Sequence, residues 1–204
     1  MTTVIPFKSR GLRAVLRESF EQRIPMRFAR ERLQPGWIHG YLVGLSRDFC
    51  LIAEVGDAMR FDGYVVLAIA DLSQVEEDPS REFVEKALAI RNEQLAIPED
   101  FKLDDWATIA QSAMRLAPLV SINVIEDDAG EVSYIGQLIA IESDALILRE
   151  VDPNAHWYPD TGDYGYDEIA SIGFGTGYLD ALWQVSGAPA DPLVPRAPRS
   201  DSLH

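Results

Sequence analysis

The sequence repeats itself at an offset of 96 residues, and this repeat constrains the fold more than any other feature. Residues 40–55 align with residues 136–151 without a gap. A chain that repeats itself at such a distance is expected to fold as two copies of one structural unit. The identical pairs are Gly40/Gly136, Leu42/Leu138, Asp48/Asp144, Glu54/Glu150 and Val55/Val151.

The repeat extends on both sides of these segments. At the same offset, the alternating apolar residues of 24–28 lie over those of 120–124. Alternation with a period of two predicts a strand with one buried face in each copy. Farther along, residues 71–75 match residues 168–172 at an offset of 97, which indicates a one-residue insertion in the preceding hairpin.

A helical pattern precedes the first strand of each copy. Apolar side chains recur at helical spacing over residues 12–20 and again over residues 106–113. Asp104 and Asp105 stand where an N-cap and first-turn carboxylates would favour the second of these helices. Each unit is therefore predicted to open with a helix.

Two further helices are predicted. One spans about residues 80–95 and joins the copies, with Phe83, Ala87, Leu88 and Arg91 on one face. A short closing helix runs from residue 177 to residue 183. For the glycine-rich segment before it, residues 173–177, we favour a strand exit with Thr176 as N-cap and Asp180 in the first turn over a phosphate loop.

The fold class is predicted to be mainly β with flanking helices (α+β). A lone meander leaves unpaired edges, so five short strands per unit favour a small barrel. Leu42, Leu51, Leu138 and Ile147 are expected to point into the barrels. In the first unit the strands are predicted at 24–30, 37–45, 49–55, 60–69 and 72–76. The predicted domains are 9–78 for the first unit, 79–102 for the linking helix, 103–185 for the second unit and 186–204 for a disordered tail.

A leading helix followed by a bent five-stranded sheet resembles the Sm-like fold. The resemblance is carried by the glycine of the second strand, the leucine two residues further on and the turn aspartate before the third strand. The segments Phe61-Asp-Gly-Tyr64 and Gly173-Phe-Gly-Thr-Gly-Tyr178 are also similar to uncharacterised bacterial proteins with tandem barrels of this kind. The resemblance implies two tandem Sm-like barrels, each preceded by a helix, and implies no activity.

The same resemblance bears on RNA binding. In RNA-binding Sm proteins an asparagine after the turn aspartate and an Arg-Gly pair form the base pocket. Here Cys50 or Leu51 stands in place of the asparagine, and residues 71–75 contain no basic side chain. The resemblance therefore implies a scaffold rather than an RNA reader.

Charge is unevenly distributed along the chain. Residues 1–50 contain nine Lys/Arg and four Asp/Glu, a net +5, whereas residues 51–204 contain nine and twenty-nine, a net −20. An acidic body repels phosphate backbones, so a protein partner is favoured, with a second copy of this chain as one option. RNA binding by the basic N-terminal stretch is the alternative. The candidate interaction face consists of Arg10, Arg13, Arg17, Arg27 and Arg30.

The sequence predicts neither an enzyme nor a cofactor or metal site. No catalytic set can be assembled from His39, His156 and His204, and Cys50 lies in an apolar run typical of a core residue. A catalytic site in a cleft between the units is the second alternative. The acidic segment 152–168 is interpreted as a solvated loop above aromatic side chains, and cation binding there is left open.

The expected compartment is the cytosol. The N-terminal residues lack the pattern of a signal peptide, and the apolar stretches are too short to span a bilayer. We accordingly expect no membrane partner.

Overall fold

The computed structural model describes residues 11–126 and 130–190, which form one antiparallel β-sheet flanked by helices. The sheet has ten strands in the order β5-β1-β2-β3-β4-β10-β6-β7-β8-β9. The strands are β1 Pro25–Arg30, β2 Gln34–Leu45, β3 Phe49–Val55, β4 Phe61–Ala68, β5 Gln74–Glu77, β6 Val120–Glu126, β7 Gly130–Ile141, β8 Ala145–Val151, β9 Trp157–Gly165 and β10 Ile169–Phe174.

Four α-helices lie within the described ranges, together with a 3-10 turn after β4. All four are predicted by the sequence. The linking helix ends at residue 90, five residues before the predicted end of 80–95. The helices are α1 Leu12–Gln22, α2 Arg81–Ile90, α3 Trp106–Leu116 and α4 Gly177–Ser186.

The predicted helix caps are confirmed for α3 and α4. Asp105 is the N-cap of α3, where its Oδ1 accepts a hydrogen bond of 2.8 Å from the backbone N–H of Thr108. Thr176 is the N-cap of α4, and its hydroxyl accepts from the backbone N–H of Leu179, with Asp180 in the first turn. Both caps satisfy N–H groups that have no partner inside the helix.

The two halves of the sheet have the same internal strand order. The first half reads β5-β1-β2-β3-β4, and the second reads β10-β6-β7-β8-β9. Both have a bulge in the second strand, between Leu42 and Gly44 and between Leu138 and Ala140. Gly40 is paired with Glu54, and Gly136 is paired with Glu150. These positions differ by the offset that the sequence predicts.

The predicted alignment of the first strands is wrong by two residues. Met26 is paired with Gly40, whereas the residue paired with Gly136 is Val120. Met26 therefore corresponds to Val120 rather than to Ile122. A displacement of two residues leaves every side chain on its original face, so alternation alone could not detect it.

The strands form one open sheet rather than two separate closed barrels. In the described residues β4 pairs with β10, so the fourth strand of the first half joins the fifth strand of the second half. The strands at the two ends of the sheet are β5 and β9. This sheet is the mainly β arrangement with flanking helices that the sequence predicts.

Two large apolar clusters lie on opposite sides of the first half. Leu42 belongs to the cluster enclosed by α1 and β1–β5, together with Cys50 and Ile52. Leu51 faces the other way and packs in a cluster with residues of the linking segment, of α3 and of the second half. The prediction that Leu51 points into the same interior as Leu42 is therefore wrong.

In the second half, the predicted inward orientation is confirmed for Leu138 and wrong for Ile147. Leu138 is buried in the interior with Leu146 and Leu148. Ile147 lies on the opposite face of β8 and is only partly buried. The difference arises because helices and the linking segment cover this face in the first half but leave much of it accessible in the second.

The predicted inner face of the linking helix also needs correction. Val84 and Leu88 of α2 are buried, whereas Phe83 is 61% exposed. The predicted face therefore combined Leu88 from the buried side of the helix with Phe83 from the exposed side. The predicted tail 186–204 begins one residue too early, since Ser186 ends α4, and its residues from 191 onward lie outside the described residues.

Candidate functional site

The structure separates the five arginines of the predicted interaction face. Arg10 lies outside the described residues. Arg13 and Arg17 are exposed on α1, and the Arg13 guanidinium donates a hydrogen bond of 2.6 Å to the backbone carbonyl of Arg47. Among the described residues, neither of these two side chains forms an ion pair with a carboxylate.

The other two arginines are already engaged with carboxylates. Arg27 is paired with Glu76 on the neighbouring strand β5, and its guanidinium lies 4.2 Å from the ring centroid of Trp37. Arg30 is buried, with 2% of its side chain exposed, and forms a bidentate pair with Glu131 at 2.7 and 2.9 Å. Their charges are therefore used within the fold.

The Arg30–Glu131 pair joins the two halves of the chain. Arg30 ends β1, whereas Glu131 lies in β7, and Arg30 also donates to the backbone carbonyl of Ala170 in β10. Ser171 donates to Glu131 at 3.1 Å and accepts from the amide of Asn123 at 2.8 Å. A buried charge requires such partners, so this network fixes the position of one half relative to the other.

The pairing of β4 with β10 is the second connection between the halves, and we call it the internal junction. Val66 lies opposite Ile172, and both are fully buried. Tyr64 lies opposite Phe174, with the two rings stacked at a centroid distance of 5.1 Å. The side chains that meet here are therefore apolar and aromatic.

The two glycine-containing segments of the sequence meet at this junction. Gly63 has φ +78°, and a Cβ at this position would lie 2.6 Å from the carbonyl oxygen of Phe174. Next to it, Asp62 accepts a hydrogen bond of 2.7 Å from the backbone N–H of Gly177, the first residue of α4. A protein carboxylate thus occupies the helix terminus at which an anion would bind, which supports the interpretation of this segment as a strand exit.

Glu54 has the most perturbed carboxyl group near this junction. Burial, reinforced by the nearby negative charge of Asp62 and partly offset by Arg30, raises the pKa of Glu54 to about 7. Its counterpart Glu150 has a hydrogen-bond donor instead, the hydroxyl of Tyr164 at 2.8 Å. The two positions share a place in the sheet but differ in their electrostatic surroundings.

The outer edge of β9 is the feature that sequence reasoning missed. The sequence predicts a solvated loop over residues 152–168, but residues 157–165 form a nine-residue strand. Since β8 pairs with β9 as β3 pairs with β4, β9 is the counterpart of β4. Continuing the offset of 97 from the predicted strand 60–69 would have identified it.

The hydrogen-bonding direction along β9 follows from its neighbour. The N–H of Tyr166 donates to Asp144 just beyond the end of β8, in the same antiparallel register that continues through β9. Because N–H groups alternate in direction along a strand, those of Tyr164 and Gly162 also point toward β8. The N–H groups of Asp163 and Gly165 therefore point away from it, toward the side on which no described strand is paired.

Acidic side chains surround this edge. Asp163, Asp167 and Glu168 follow one another through β9 and the turn to β10, and all three are exposed. A cavity of about 260 Å³ lies beside them, lined by Val124, Ile125, Glu126, Tyr134, Asp163, Tyr164 and Glu168. The outward N–H of Gly165 donates to Glu168 Oε2 at 3.3 Å. The outward N–H of Asp163 therefore lies in a strongly negative environment.

The cysteine and the two described histidines are buried or paired within the fold. Cys50 is fully buried, and burial raises the pKa of its thiol to about 12. His39 Nδ1 lies 2.6 Å from Asp78, and His156 Nδ1 lies 3.5 Å from Asp152. Among residues 11–126 and 130–190, no three His, Cys, Asp or Glu side chains are arranged to hold a metal ion.

Comparisons with protein-family models, curated proteins and solved structures find no match for this chain. In the described part of the chain, no helix has the length and apolar character needed to cross a membrane.

Proposed function

We propose that this protein is a non-catalytic protein-interaction module built from two Sm-like units, and that its partner binds as an extended strand along the outer edge of β9. One observation carries the proposal. Among the described strands, the outer edge of β4 is occupied by β10, whereas its counterpart β9 is the last strand of the sheet. The described part of the chain thus fills one docking position itself, and we propose that the partner fills its counterpart on β9.

Backbone pairing is the means of recognition. An extended segment that adds to a sheet edge gains main-chain hydrogen bonds, and its alternate side chains provide specificity. The regularly paired part of β9, residues 161–165, is slightly longer than the four-residue β5 at the other end of the described sheet. A short, charged edge such as β5, which ends in Glu76 and Glu77, is typical of an edge protected from pairing.

The acidic surroundings define the chemistry of the partner. Asp163 lies on the edge strand itself, and residues 51–204 have a net charge of −20. We therefore propose a partner segment with Lys or Arg opposite Asp163, since cross-strand pairs of opposite charge are favourable and like charges are not. An RNA partner would be repelled by the same surface.

The Sm-like part of the proposal is supported by the strand order and the bulges that the two halves share. Each half has its fifth strand beside its first, a helix before its first strand, and a glycine in the second strand opposite a glutamate of the third. Charge pairing of Arg27 and Arg30 within the fold removes two of the five arginines on which the RNA alternative depends.

The test uses the full chain and two labelled peptides, one alternating Lys and Val and one alternating Glu and Val. We expect the Lys peptide to bind saturably in fluorescence anisotropy and the Glu peptide not to bind. Asp163→Pro removes an outward N–H and should weaken binding by about tenfold or more. Asp163→Asn keeps that N–H and should weaken binding less.

A nonspecific ionic interaction would give a different pattern. In that case Asp167→Asn, which removes a neighbouring exposed charge outside β9, would weaken binding as much as Asp163→Pro. Equal binding of the two peptides, or unchanged binding by Asp163→Pro, would also contradict strand addition at β9.

A further inference from the structure

We infer that the segment after α4 docks on the outward face of β7 and β8, where Leu193 and Val194 cover an apolar patch formed by Ile139, Ala140 and Ile147. The described residues end at Ala190, and residues 191–204 follow them in the sequence. The inference comes from comparing the two halves of the sheet and does not depend on the partner strand proposed for β9.

The first half shows how the outward face is covered by an extended segment. Val43 and Leu51 on this face are 5% and 1% exposed. Leu103 of the linking segment lies over them, since a Cβ at Gly44 would be 2.9 Å from Leu103 Cδ1 and 3.0 Å from Leu51 Cβ. Leu95 of the same segment packs against this cluster. The chain that follows α2 therefore completes the core on this side of the first half.

The matching positions of the second half are accessible. Ala140 is paired with Ile147 as Gly44 is paired with Leu51, in each case next to a bulge in the second strand. Ile139, in the bulge beside this pair, is 38% exposed, and Ala140 is exposed as well. Removing apolar side chains of this kind from water favours a covering segment here too.

The helix that precedes the segment already lies on this face. The linking helix α2 follows the fifth strand of the first half, and α4 follows the fifth strand of the second. Leu179 and Leu182 of α4 pack against Val151 of β8. Val151 and Ile147 point to the same side of β8 because side chains alternate along a strand. Docking on Ile147 would therefore continue a contact surface that α4 begins.

The segment is long enough to reach the patch. Just after α4, the carbonyl of Gly187 accepts a hydrogen bond of 3.1 Å from Trp157 Nε1, and Trp157 is paired with Val151. Ile147 lies about 13 Å from Val151 along β8, at about 3.3 Å per residue. The chain from Gly187 to Leu193 spans up to about 20 Å, so the first leucine after α4 can reach the patch.

Charge favours this segment over a second copy of the chain. Residues 193–199 contain Arg196 and Arg199 and no carboxylate. The patch is flanked by the exposed carboxylates of Asp144, in the turn from β7 to β8, and of Asp163, which is paired with Ile147. Two copies that met through this face would bring like charges together, whereas the two arginines of the segment would face opposite charge.

The test is disulfide trapping in the full chain with oxidised glutathione, combining Val194→Cys with either Ile139→Cys or Val185→Cys. Val185 is 77% exposed on α4 and is close to residue 194 along the chain, so a segment that does not dock should react with position 185 at least as fast. We expect the disulfide to position 139 to form faster by about fivefold or more, as measured by mass spectrometry. Cys50 is fully buried and should not compete.

A docked segment also depends on its apolar residues. Leu193→Asp, added to the pair at 139 and 194, should remove the rate difference, whereas Ser202→Asp should not. Trapping at position 139 that is no faster than at position 185, or that is unaffected by Leu193→Asp, would overturn the inference. A disulfide between two chains carrying Ile139→Cys alone would assign the patch to a second copy and would overturn it as well. Ala140→Cys, at an exposed position, provides a second trap if Ile139→Cys does not fold.

Discussion

At the scale of single residues, the glycine shared by the two copies has a steric explanation. A Cβ at Gly40 would collide with the carbonyl oxygen of Ala53, and one at Gly136 would collide with that of Arg149. In both halves the second strand approaches the third close to a bulge in the second strand. Only a residue without a side chain permits this approach.

Glu54 gives a prediction on pH dependence. Its pKa is raised to about 7 from an ordinary value of 4.5, so the folded chain holds this proton more strongly than the unfolded chain. The stabilising contribution is complete below the unfolded pKa and is lost as the pH rises through the folded one. Glu54→Gln, which cannot ionise, should therefore unfold at higher urea than wild type at about pH 8, with the difference shrinking toward about pH 5.

Glu21→Gln, at an exposed position of α1, is the matched control and should show no such trend. A difference between wild type and Glu54→Gln that stays constant with pH would mean that Glu54 is not the titrating group.

Residue-level contacts between the halves were not predictable from the sequence. The sequence does not specify which strand edges meet, so nothing in it connects Arg30 with Glu131 or Asp62 with Gly177. Arg30 was accordingly assigned to an exposed face, although it is buried. Local features such as the Thr176 cap were predictable because a cap depends on its immediate neighbours alone.

At the scale of secondary-structure elements, predictions succeeded where the pattern was unambiguous. β3 was predicted from residue 49 to residue 55 and has those bounds. Its two faces are both apolar, with Phe49 and Leu51 on one and Cys50 and Ile52 on the other. A strand buried on both sides has no polar face to indicate which residues point inward, and for this reason Leu51 was assigned to the wrong core.

The contact of the β3–β4 hairpin with the start of α4 gives a prediction on packing. Gly63→Ala should destabilise the protein by about 1–3 kcal/mol more than Gly36→Ala, since the added methyl group overpacks a closed site. Gly36 is the matched control, because it also has a positive φ, +104°, but a Cβ there would meet nothing within 4 Å. Urea unfolding of both variants measures the difference, and equal losses would contradict the tight packing at Gly63.

At the scale of the whole molecule, the two halves have the same strand order but different surroundings. The outward face of the first half is covered by the linking segment and α3, whereas Ile139 and Ile147 on the matching face of the second half remain accessible. The edge of β4 is covered by β10, and β9 is left at the end of the sheet. Joining the halves in one sheet thus pairs the outer edge of β4 with β10, and the proposed function assigns the counterpart edge on β9 to a partner.

Hydrogen exchange of the full chain tests strand addition at β9 most directly, by comparing the outward amide of Asp163 with the outward amides of β4. We predict that the outward amides of β4 exchange slowly, that the outward amide of Asp163 exchanges fast, and that adding the Lys–Val peptide slows exchange at Asp163 only. Equally slow exchange at both strands without peptide, or no slowing at β9 when the peptide is bound, would contradict an open docking edge at β9.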